Sequence, residues 1–412
     1  MRFADFFRRY KWLLLLAGVA ALYYPRFIHR PQGLTFYPLG AEAMLRGVPL
    51  EVGLPTFTYP PVFAFVMIPF VFLPPWLRDL LWYLVLVIST CLSFRLCEHL
   101  TQQSLPAPLQ QKQLGWLRIL ALALSLKLVL AVFENQSYDS VVFLCVLVGL
   151  YGLTAGNDFY ASSGLALAAA LKATPLLFFP YLLLRGRLKL FLLCVALYAG
   201  FSFLPDLFFT PRGAPLGYFM TWIHDLVGGL FVHDPAAFPV RQWDLVNPLN
   251  ESLKSLVTHL TTGSSWSVHA KAILGIAYLG YLSVMAGLLL RSGKMEKPLV
   301  VDGSVLLISM LMLAPMSSKS HFITLMLPYM VLAAYVIQEP RFRRLGGVVL
   351  AVSFMLNTLT AKALIGKRLS EVFLSSGCVT VGTLVLLVFF GHIIAAQAKA
   401  SSPATKPRDL EG

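Results

Sequence analysis

The chain has 412 residues, of which 58% are hydrophobic and only 13% are charged, and its formal net charge is +14. Soluble proteins carry roughly twice that charged fraction, so the composition excludes an ordinary soluble protein. The excess of Lys and Arg is typical of membrane topology signals, and no nucleic-acid-binding module accompanies it. The sequence predicts an all-α polytopic membrane protein in which 1–412 form a single integral membrane domain.

Apolar blocks follow one another along the chain, each roughly 17–25 residues long, enough to cross about 30 Å of hydrocarbon as a helix. The first block follows a basic start and ends in Tyr23 and Tyr24. It lacks a small-residue cleavage site, which favours a retained span over a signal peptide. The spans, about 12 in number, are predicted at 11–25, 58–74, 77–96, 116–133, 139–155, 160–184, 188–205, 268–290, 299–315, 322–338, 345–363 and 372–395.

Polar and basic segments assign the sides of the membrane. Two long loops interrupt the spans, a Pro- and Gly-rich one at 26–57 and the longest one at 206–267. Basic residues cluster instead at the N-terminus, in the turns near 185–189, 291–297 and 341–344, and in the tail 396–412. We therefore predict that both termini and the tail are cytoplasmic and that both long loops are extracytoplasmic. Within the first loop, 40–47 has helical spacing, with Ala41, Met44 and Leu45 on one side of an amphipathic interfacial helix.

One stretch fits this count poorly. Segment 97–115 falls outside, while the acidic segment 133–139 falls near the inner side. Span 160–184 is alternatively two half-helices, 160–171 and 174–184, separated near Pro175. In that case every segment before residue 160 lies on the opposite side of the membrane. The sequence leaves both possibilities open.

Several motifs occur in order over the chain. They are Tyr37 followed by Gly47, the F-x-YPP of 57–61 with an apolar run ending in P-x-x-x-L-P, Asn135-Gln136, the alanine-rich 164–187 with Lys172 and Pro175, Asn250 to Leu253, and Pro315 to Pro328 with His321. Together they resemble glycosyltransferase family 87. The resemblance implies a GT-C-type bundle with extracytoplasmic loop helices and an active site on the outer side of a cell inner membrane or plasma membrane.

The resemblance also implies the reaction. Its donor is a polyprenyl-phosphate-linked sugar, often mannose, and its acceptor is a glycolipid, a glycan or a protein, with no nucleic acid involved. The leaving phosphate needs charge stabilisation, and a carboxylate takes the proton of the acceptor hydroxyl. The family's expected base is an aspartate four residues before the first-loop tyrosine, where this chain has Gly33. Because 26–57 contains no aspartate, the predicted bases are Glu51 and Glu42, with a base from the long loop or a lost activity as alternatives.

Other site candidates follow from charge and position. A lysine inside an apolar span is costly unless paired, so Lys172 is the first candidate for the donor phosphate, and pairing with a structural carboxylate is its alternative. The remaining phosphate candidates are His321, Lys319 and Arg241. The candidates for sugar or acceptor hydroxyls are Tyr37, Tyr59, Gln136 and Asn250, for which helix capping is the alternative at Asn250.

The last predictions concern metal binding and two alternative functions. The sequence contains no Asp-x-Asp or His-x-x-x-His, so we predict no metal ligands and no cofactor, and a divalent cation is not required. The rival function is a secondary transporter or lipid flippase, with Lys127, Lys172 and Asp302 along its path. A non-catalytic relative that binds polyprenyl lipid is the third possibility, and its basis is Gly33.

Overall fold

The computed structural model describes residues 3–29, 33–50, 57–231, 249–261, 268–358 and 360–400. The regular structure of these residues is helical throughout and includes no strand, as the sequence predicts. The chain divides into two compact units. The first comprises Met1–Leu96, Leu126–Asn247 and Ser318–Ile323, and the second comprises Cys97–Ser125, Pro248–Ser317 and Thr324–Gly412.

The first unit contains α1 (Phe3–His29), α2 (Gly33–Leu45), α3 (Pro61–Val71), most of α4 (Pro75–Ser104), the end of α5 (Gln111–Glu134), α6 (Asp139–Ala155), α7 (Asp158–Leu171), α8 (Phe178–Leu184), α9 (Leu188–Phe203) and α10 (Gly217–Phe231). Short 3₁₀ turns lie at Thr174–Leu177 and Pro205–Leu207. The second unit contains the remainder of α4 and α5, α11 (Leu253–Thr261), α12 (Val268–Ser292), α13 (Leu299–Leu313), α14 (Met326–Gln338), α15 (Pro340–Thr358), α16 (Lys362–Ser375) and α17 (Cys378–Ala400).

The helices confirm a multi-pass membrane protein. Among the described residues, five helices are long and apolar enough to cross a membrane: Pro75–Ser104, Gln111–Glu134, Ala272–Ser292, His321–Gln338 and Cys378–Lys399. Five shorter apolar helices accompany them: Pro61–Val71, Asp139–Ala155, Thr174–Leu184, Leu188–Phe203 and Leu299–Leu313. The total of about 12 spans stays a prediction.

The predicted span 160–184 is broken. Lys172 ends α7 with an extended backbone, at φ −155° and ψ 125°. Pro175 explains the break, because proline lacks the N–H that would bond to the carbonyl of Leu171 four residues earlier, and its ring crowds that carbonyl. Lys189 Nζ, just after α8, lies 3.2 Å from Asp158 Oδ2 at the start of α7. The chain therefore doubles back, and the half-helix alternative is confirmed as an antiparallel pair.

The predicted position of segment 133–139 is wrong. Its residue Asn135 accepts a hydrogen bond of 3.3 Å from the N–H of Gly33, at the start of α2 in the first long loop. The two segments are therefore in contact, whereas the span count assigned them to opposite sides of the membrane. Three spans were predicted between the two segments, but among the residues described there only Pro75–Ser104 and Gln111–Glu134 are long apolar helices, whereas the first predicted span is the shorter helix Pro61–Val71.

Helix α2 is longer and more buried than predicted. Ala41 and Met44 are fully buried as expected, but Leu45 is 37% exposed, and Tyr37 instead completes the buried side. The Tyr218 hydroxyl donates to the carbonyl of Met44 at 3.2 Å. The helix is thus fixed against protein along one side, which holds Tyr37 in a defined position.

Glycines bring α6 and α7 into close contact. A Cβ atom on Gly164 of α7 would lie 2.5 Å from the backbone nitrogen of Gly149 on α6. Small residues allow such close backbone approach between helices in membranes. The antiparallel packing brings the start of α6 beside the end of α7, and the candidate site lies there.

Candidate active site

A buried carboxylate joins two basic side chains in the first unit. Lys172 Nζ lies 2.5 Å from Asp139 Oδ1, and His321 Nε2 lies 3.7 Å from Asp139 Oδ2. The side chain of Asp139 is 4% exposed, against 19% for Lys172 and 22% for His321. The carboxylate is therefore enclosed, while the two basic groups retain access from outside.

Asp139 is held by its position at the first residue of α6. The Ser137 hydroxyl donates to Asp139 Oδ2 at 2.6 Å. The N-terminus of a helix also favours negative charge through the helix dipole. With these groups and Lys172 around it, this carboxylate is stabilised in its charged form although it is buried.

Lys172 is held by the break between α7 and the following 3₁₀ turn. The carbonyl of Leu171, freed at the helix end, accepts a hydrogen bond of 3.2 Å from the Tyr138 hydroxyl. The Lys172 ammonium lies 5.9 Å from the centre of the Tyr138 ring, within range of a cation–π interaction. A lysine predicted from sequence to sit within a span thus lies at a helix end.

The hydrogen bonding of His321 assigns its tautomer. The N–H of Ser318 donates to Nδ1 of His321 at 3.1 Å, so Nδ1 is the unprotonated nitrogen. In a neutral imidazole the proton is then on Nε2, the atom that faces Asp139. His321 therefore presents a donor on the side of Asp139, which is suited to an anion and unsuited to accepting a proton.

An aromatic cluster lies beside these groups. The ring of Tyr37 makes edge contacts with Tyr59, Phe63 and Tyr138 at centroid distances of 5.5, 4.8 and 5.9 Å. Burial and, second, the nearby charge of Asp139 raise the pKa of Tyr59 to about 12. Burial likewise raises the pKa of Tyr37 and of Tyr138. These phenols are neutral at physiological pH and act as hydrogen-bond donors or ring surfaces.

Gln136 is occupied by main-chain partners. Its Oε1 accepts from the N–H of Leu34 at 3.1 Å, and its Nε2 donates to the carbonyl of Phe27 at 3.0 Å. Its own carbonyl accepts from the indole of Trp82 at 2.9 Å. This geometry favours a structural role that ties α1, α2 and α4 together, and sugar binding by Gln136 stays a prediction.

At Gly33, where the family's aspartate is expected, neighbouring atoms occupy the space that a side chain would need. A Cβ on Gly33 would lie 2.7 Å from the Tyr37 ring and 2.8 Å from the carbonyl oxygen of Gln136. Any larger residue would require these groups to move. The departure from the family pattern therefore extends beyond one side chain to the packing around it.

The other predicted site residues lie in different parts of the chain. Glu42 is 35% exposed and pairs with Arg46 at 3.4 Å on α2. Lys319 is half-buried in the segment that carries His321. Glu51 and Arg241 lie outside the described residues, so their predicted roles are not tested.

Asn250 belongs to the second unit and is buried. Its Oδ1 accepts from the N–H groups of Ser252 and Ser317 at 3.1 and 3.0 Å, and its Nδ2 donates to the carbonyl of Pro315 at 3.1 Å. These contacts correspond to the capping alternative, since the amide satisfies main-chain groups around the start of α11. Its predicted role in sugar binding finds no support in them.

Sequence reasoning missed Asp139 and Tyr138. The signal was available, because an apolar span that carries a lysine needs a carboxylate partner. The single span predicted over 160–184 placed Lys172 in mid-span, away from Asp139 at the start of the span 139–155. Among the described residues no group of three or more His, Cys, Asp or Glu side chains could hold a metal ion, so we assign no metal ligands.

These features define an all-α, multi-pass membrane protein with a carboxylate, an ammonium and an imidazole gathered at a helix junction. A family model described as glycosyltransferase family 87 matches residues 57–315, which is more than half of the chain. The chain belongs to glycosyltransferase family 87, and the resemblance seen in the sequence motifs is confirmed.

Two known proteins are similar to the chain, one of them in two crystal structures. The polyprenol-phosphate-mannose-dependent alpha-(1-2)-phosphatidylinositol mannoside mannosyltransferase of Mycobacterium tuberculosis is 32% identical over an alignment 212 residues long that covers 44% of this chain and 48% of that protein. The match thus spans about half the length of that relative. The crystal structures of ArnT from Cupriavidus metallidurans, apo and bound to undecaprenyl phosphate, overlap 94% of this chain and 78% of theirs, at 13% and 14% identity and TM-scores of 0.42 and 0.40.

Proposed function

We propose that the protein is a membrane glycosyltransferase that moves a sugar, mannose, from a polyprenyl phosphate to an extracytoplasmic glycolipid or glycan. The observation that carries this proposal is the Asp139–Lys172–His321 group beside the Tyr37, Tyr59 and Tyr138 rings. Membership of glycosyltransferase family 87 supports the reaction class. The mannosyltransferase relative supports the choice of sugar and of lipid carrier.

Lys172 and His321 are suited to the phosphate of the donor. An ammonium and an imidazole N–H together offer charge and hydrogen bonds to phosphate oxygens, and both side chains are partly accessible. As the sugar–phosphate bond breaks, negative charge grows on those oxygens. Fixed donors aimed at that charge lower the barrier without any proton transfer to the leaving group.

Asp139 is poorly suited to be the base. In an inverting transfer the acceptor approaches from the side of the sugar opposite to the leaving phosphate. Asp139 lies beside both candidates for that phosphate, Lys172 and His321, so it lies on the leaving-group side, and it is almost fully buried. The base we propose is Glu51. Glu42 is less suited, because it lies away from the buried side of α2 and pairs with Arg46.

A non-catalytic lipid-binding relative is the second candidate function. The observation that favours it is the lack of space for a side chain at Gly33, where the family's aspartate is expected. Such a protein would bind the polyprenyl-phosphate sugar at Lys172 and His321 without transferring it. The transporter reading is weaker, since buried Asp302 accepts a hydrogen bond from the Ser292 hydroxyl within the second unit.

Radiolabelled polyprenyl-phosphate mannose with a membrane lipid extract tests these candidates on the purified full chain in detergent. The first candidate expects label in a new lipid or glycan product. The paired variant Asp139→Asn/Lys172→Met should lose about 10²-fold or more of the rate, because it removes the charge that stabilises the phosphate. Lys189→Ala, which removes an exposed lysine, is the matched control. Binding without product in any acceptor extract supports the lipid-binding candidate, and absence of binding overturns both.

A further inference from the structure

We propose that Asp139 is a positioning residue: its carboxylate holds the Lys172 ammonium and directs the Nε2–H of His321 so that both are ready for the donor phosphate. This inference rests on the proposed function and adds to it the residue that organises the phosphate site. It concerns a residue that never touches the sugar or the acceptor.

The geometry of the contacts supports such a role. One oxygen of Asp139 binds Lys172 at 2.5 Å, and the other faces His321 Nε2 at 3.7 Å. The second distance exceeds a hydrogen bond, so Asp139 acts on the Nε2 side of the imidazole through its charge.

The position of Asp139 is itself fixed from the other side. Ser137 donates to it at 2.6 Å, and the residue begins α6, which packs closely on α7 through Gly149 and Gly164. A chain of fixed contacts thus runs from the helix pair through Asp139 to the two basic groups. Groups held in this way lose little freedom when the donor binds, which is the advantage of a preorganised site.

Charge explains why a carboxylate occupies this position. Without a carboxylate partner, an ammonium beside apolar spans is driven to lose its proton or to turn toward water. The negative charge of the Asp139 carboxylate balances the positive charge of the Lys172 ammonium, so neither charge is left uncompensated. An incoming phosphodiester then meets a charged ammonium in a fixed place.

A merely structural ion pair is the alternative, and the second unit contains a matched example. Arg118 donates to Glu98 at 2.8 Å through Nε and at 2.6 Å through Nη2, and both side chains are similarly buried. Glu98→Gln removes a buried charge pair of the same kind from a place we assign no part in the reaction. It therefore measures what such a loss does through folding alone.

The first arm of the test needs no donor. The purified full chain is acetylated with an amine-reactive reagent, and mass spectrometry gives the rate at Lys172 relative to exposed Lys189. In Asp139→Asn the ratio should rise by about tenfold or more, because a charge-assisted hydrogen bond that restrains the amine is lost. In Glu98→Gln the ratio should stay unchanged. An unchanged ratio in Asp139→Asn, or an equal rise in both variants, overturns the proposal.

The second arm is a double-mutant cycle on transfer from radiolabelled polyprenyl-phosphate mannose. Asp139→Asn and Lys172→Met should each lower kcat/KM by about 10²-fold, as expected when a reacting group is displaced by about 1 Å or removed. The double variant should lose no more than Lys172→Met alone, because Asp139 acts through Lys172. Fully additive losses overturn the proposal. If the wild-type chain neither binds nor transfers the label, the proposed function fails, and the acetylation ratio still decides whether Asp139 holds Lys172.

Discussion

Lys172 Nζ and Asp139 Oδ1 lie 2.5 Å apart although 33 positions separate them in the sequence. They occupy the end of α7 and the start of α6, and the spacing of these two helices decides whether the side chains can meet. That spacing depends on Gly164 and Gly149, whose backbones are in contact. The packing of α6 on α7 thus controls the geometry of the candidate phosphate site.

We expect Gly164→Ala to weaken both the fold and the site. The added methyl group would lie 2.5 Å from the backbone nitrogen of Gly149, so the helices must separate. Overpacking of this kind costs about 1–3 kcal/mol of unfolding free energy, and it moves Lys172 away from Asp139. Thermal unfolding in detergent and donor binding measure the two effects. Gly200→Ala on α9 is the control, because no atom lies within 4 Å of its added Cβ; equal behaviour of the two variants would contradict the prediction.

The second prediction concerns the expected base position. Gly33→Asp restores the family's residue by sequence, yet we expect it to lower stability and leave transfer no faster. The side chain would clash with the Tyr37 ring at 2.7 Å and with the Gln136 carbonyl at 2.8 Å. Gly115→Ala, at a position with open space around the Cβ, serves as the control for stability. An increase in the initial rate of transfer would show that the position can still hold a base.

Much of the fold could be predicted from the sequence, because apolar blocks predict membrane-spanning helices and basic turns predict the cytoplasmic side. The sequence predicts the break at Lys172 as one of two possibilities, since proline disrupts a helix. Asp139 was missed for a different reason. Its role depends on where α7 ends, because the break at Lys172 brings that residue to a helix end beside the start of α6. Spacing along a chain carries no information on which of two helix ends will meet.

The same limit applies to the roles of individual site residues. Lys172 and His321 could be singled out by residue type and motif, and the structure brings both to Asp139. Gln136 matches the family motif equally well, but its amide is used by the main chain of Phe27 and Leu34. A motif match gives the type of residue at a position. It does not distinguish an amide that binds a ligand from one that is hydrogen-bonded to the main chain.

The third prediction separates the two candidate bases. Glu51→Gln should lower kcat by about 10²–10⁴-fold while donor binding is retained, because only proton removal from the acceptor is lost. Glu42→Gln should change the rate little, since Glu42 is partly exposed and its ion pair with Arg46 is worth about 1 kcal/mol or less. Initial rates and binding of labelled donor, measured on both variants, make the comparison. Loss of transfer in Glu42→Gln alone would reverse the assignment.

The fourth prediction follows from the protonation of Tyr59. Burial and the charge of Asp139 raise its pKa to about 12, so the phenol keeps its proton until the pH rises through that value. Tyr59→Phe removes one hydrogen-bond donor, which is worth about 0.5–1.5 kcal/mol, so the rate should fall about tenfold or less. Because Tyr59 does not ionise between about pH 6 and about pH 9, the fall should be the same at every pH in that range. Tyr160→Phe, at an exposed tyrosine of α7, controls for loss of a hydroxyl elsewhere. A changed shape of the pH–rate profile in Tyr59→Phe would mean that this phenol takes part in the proton transfer itself.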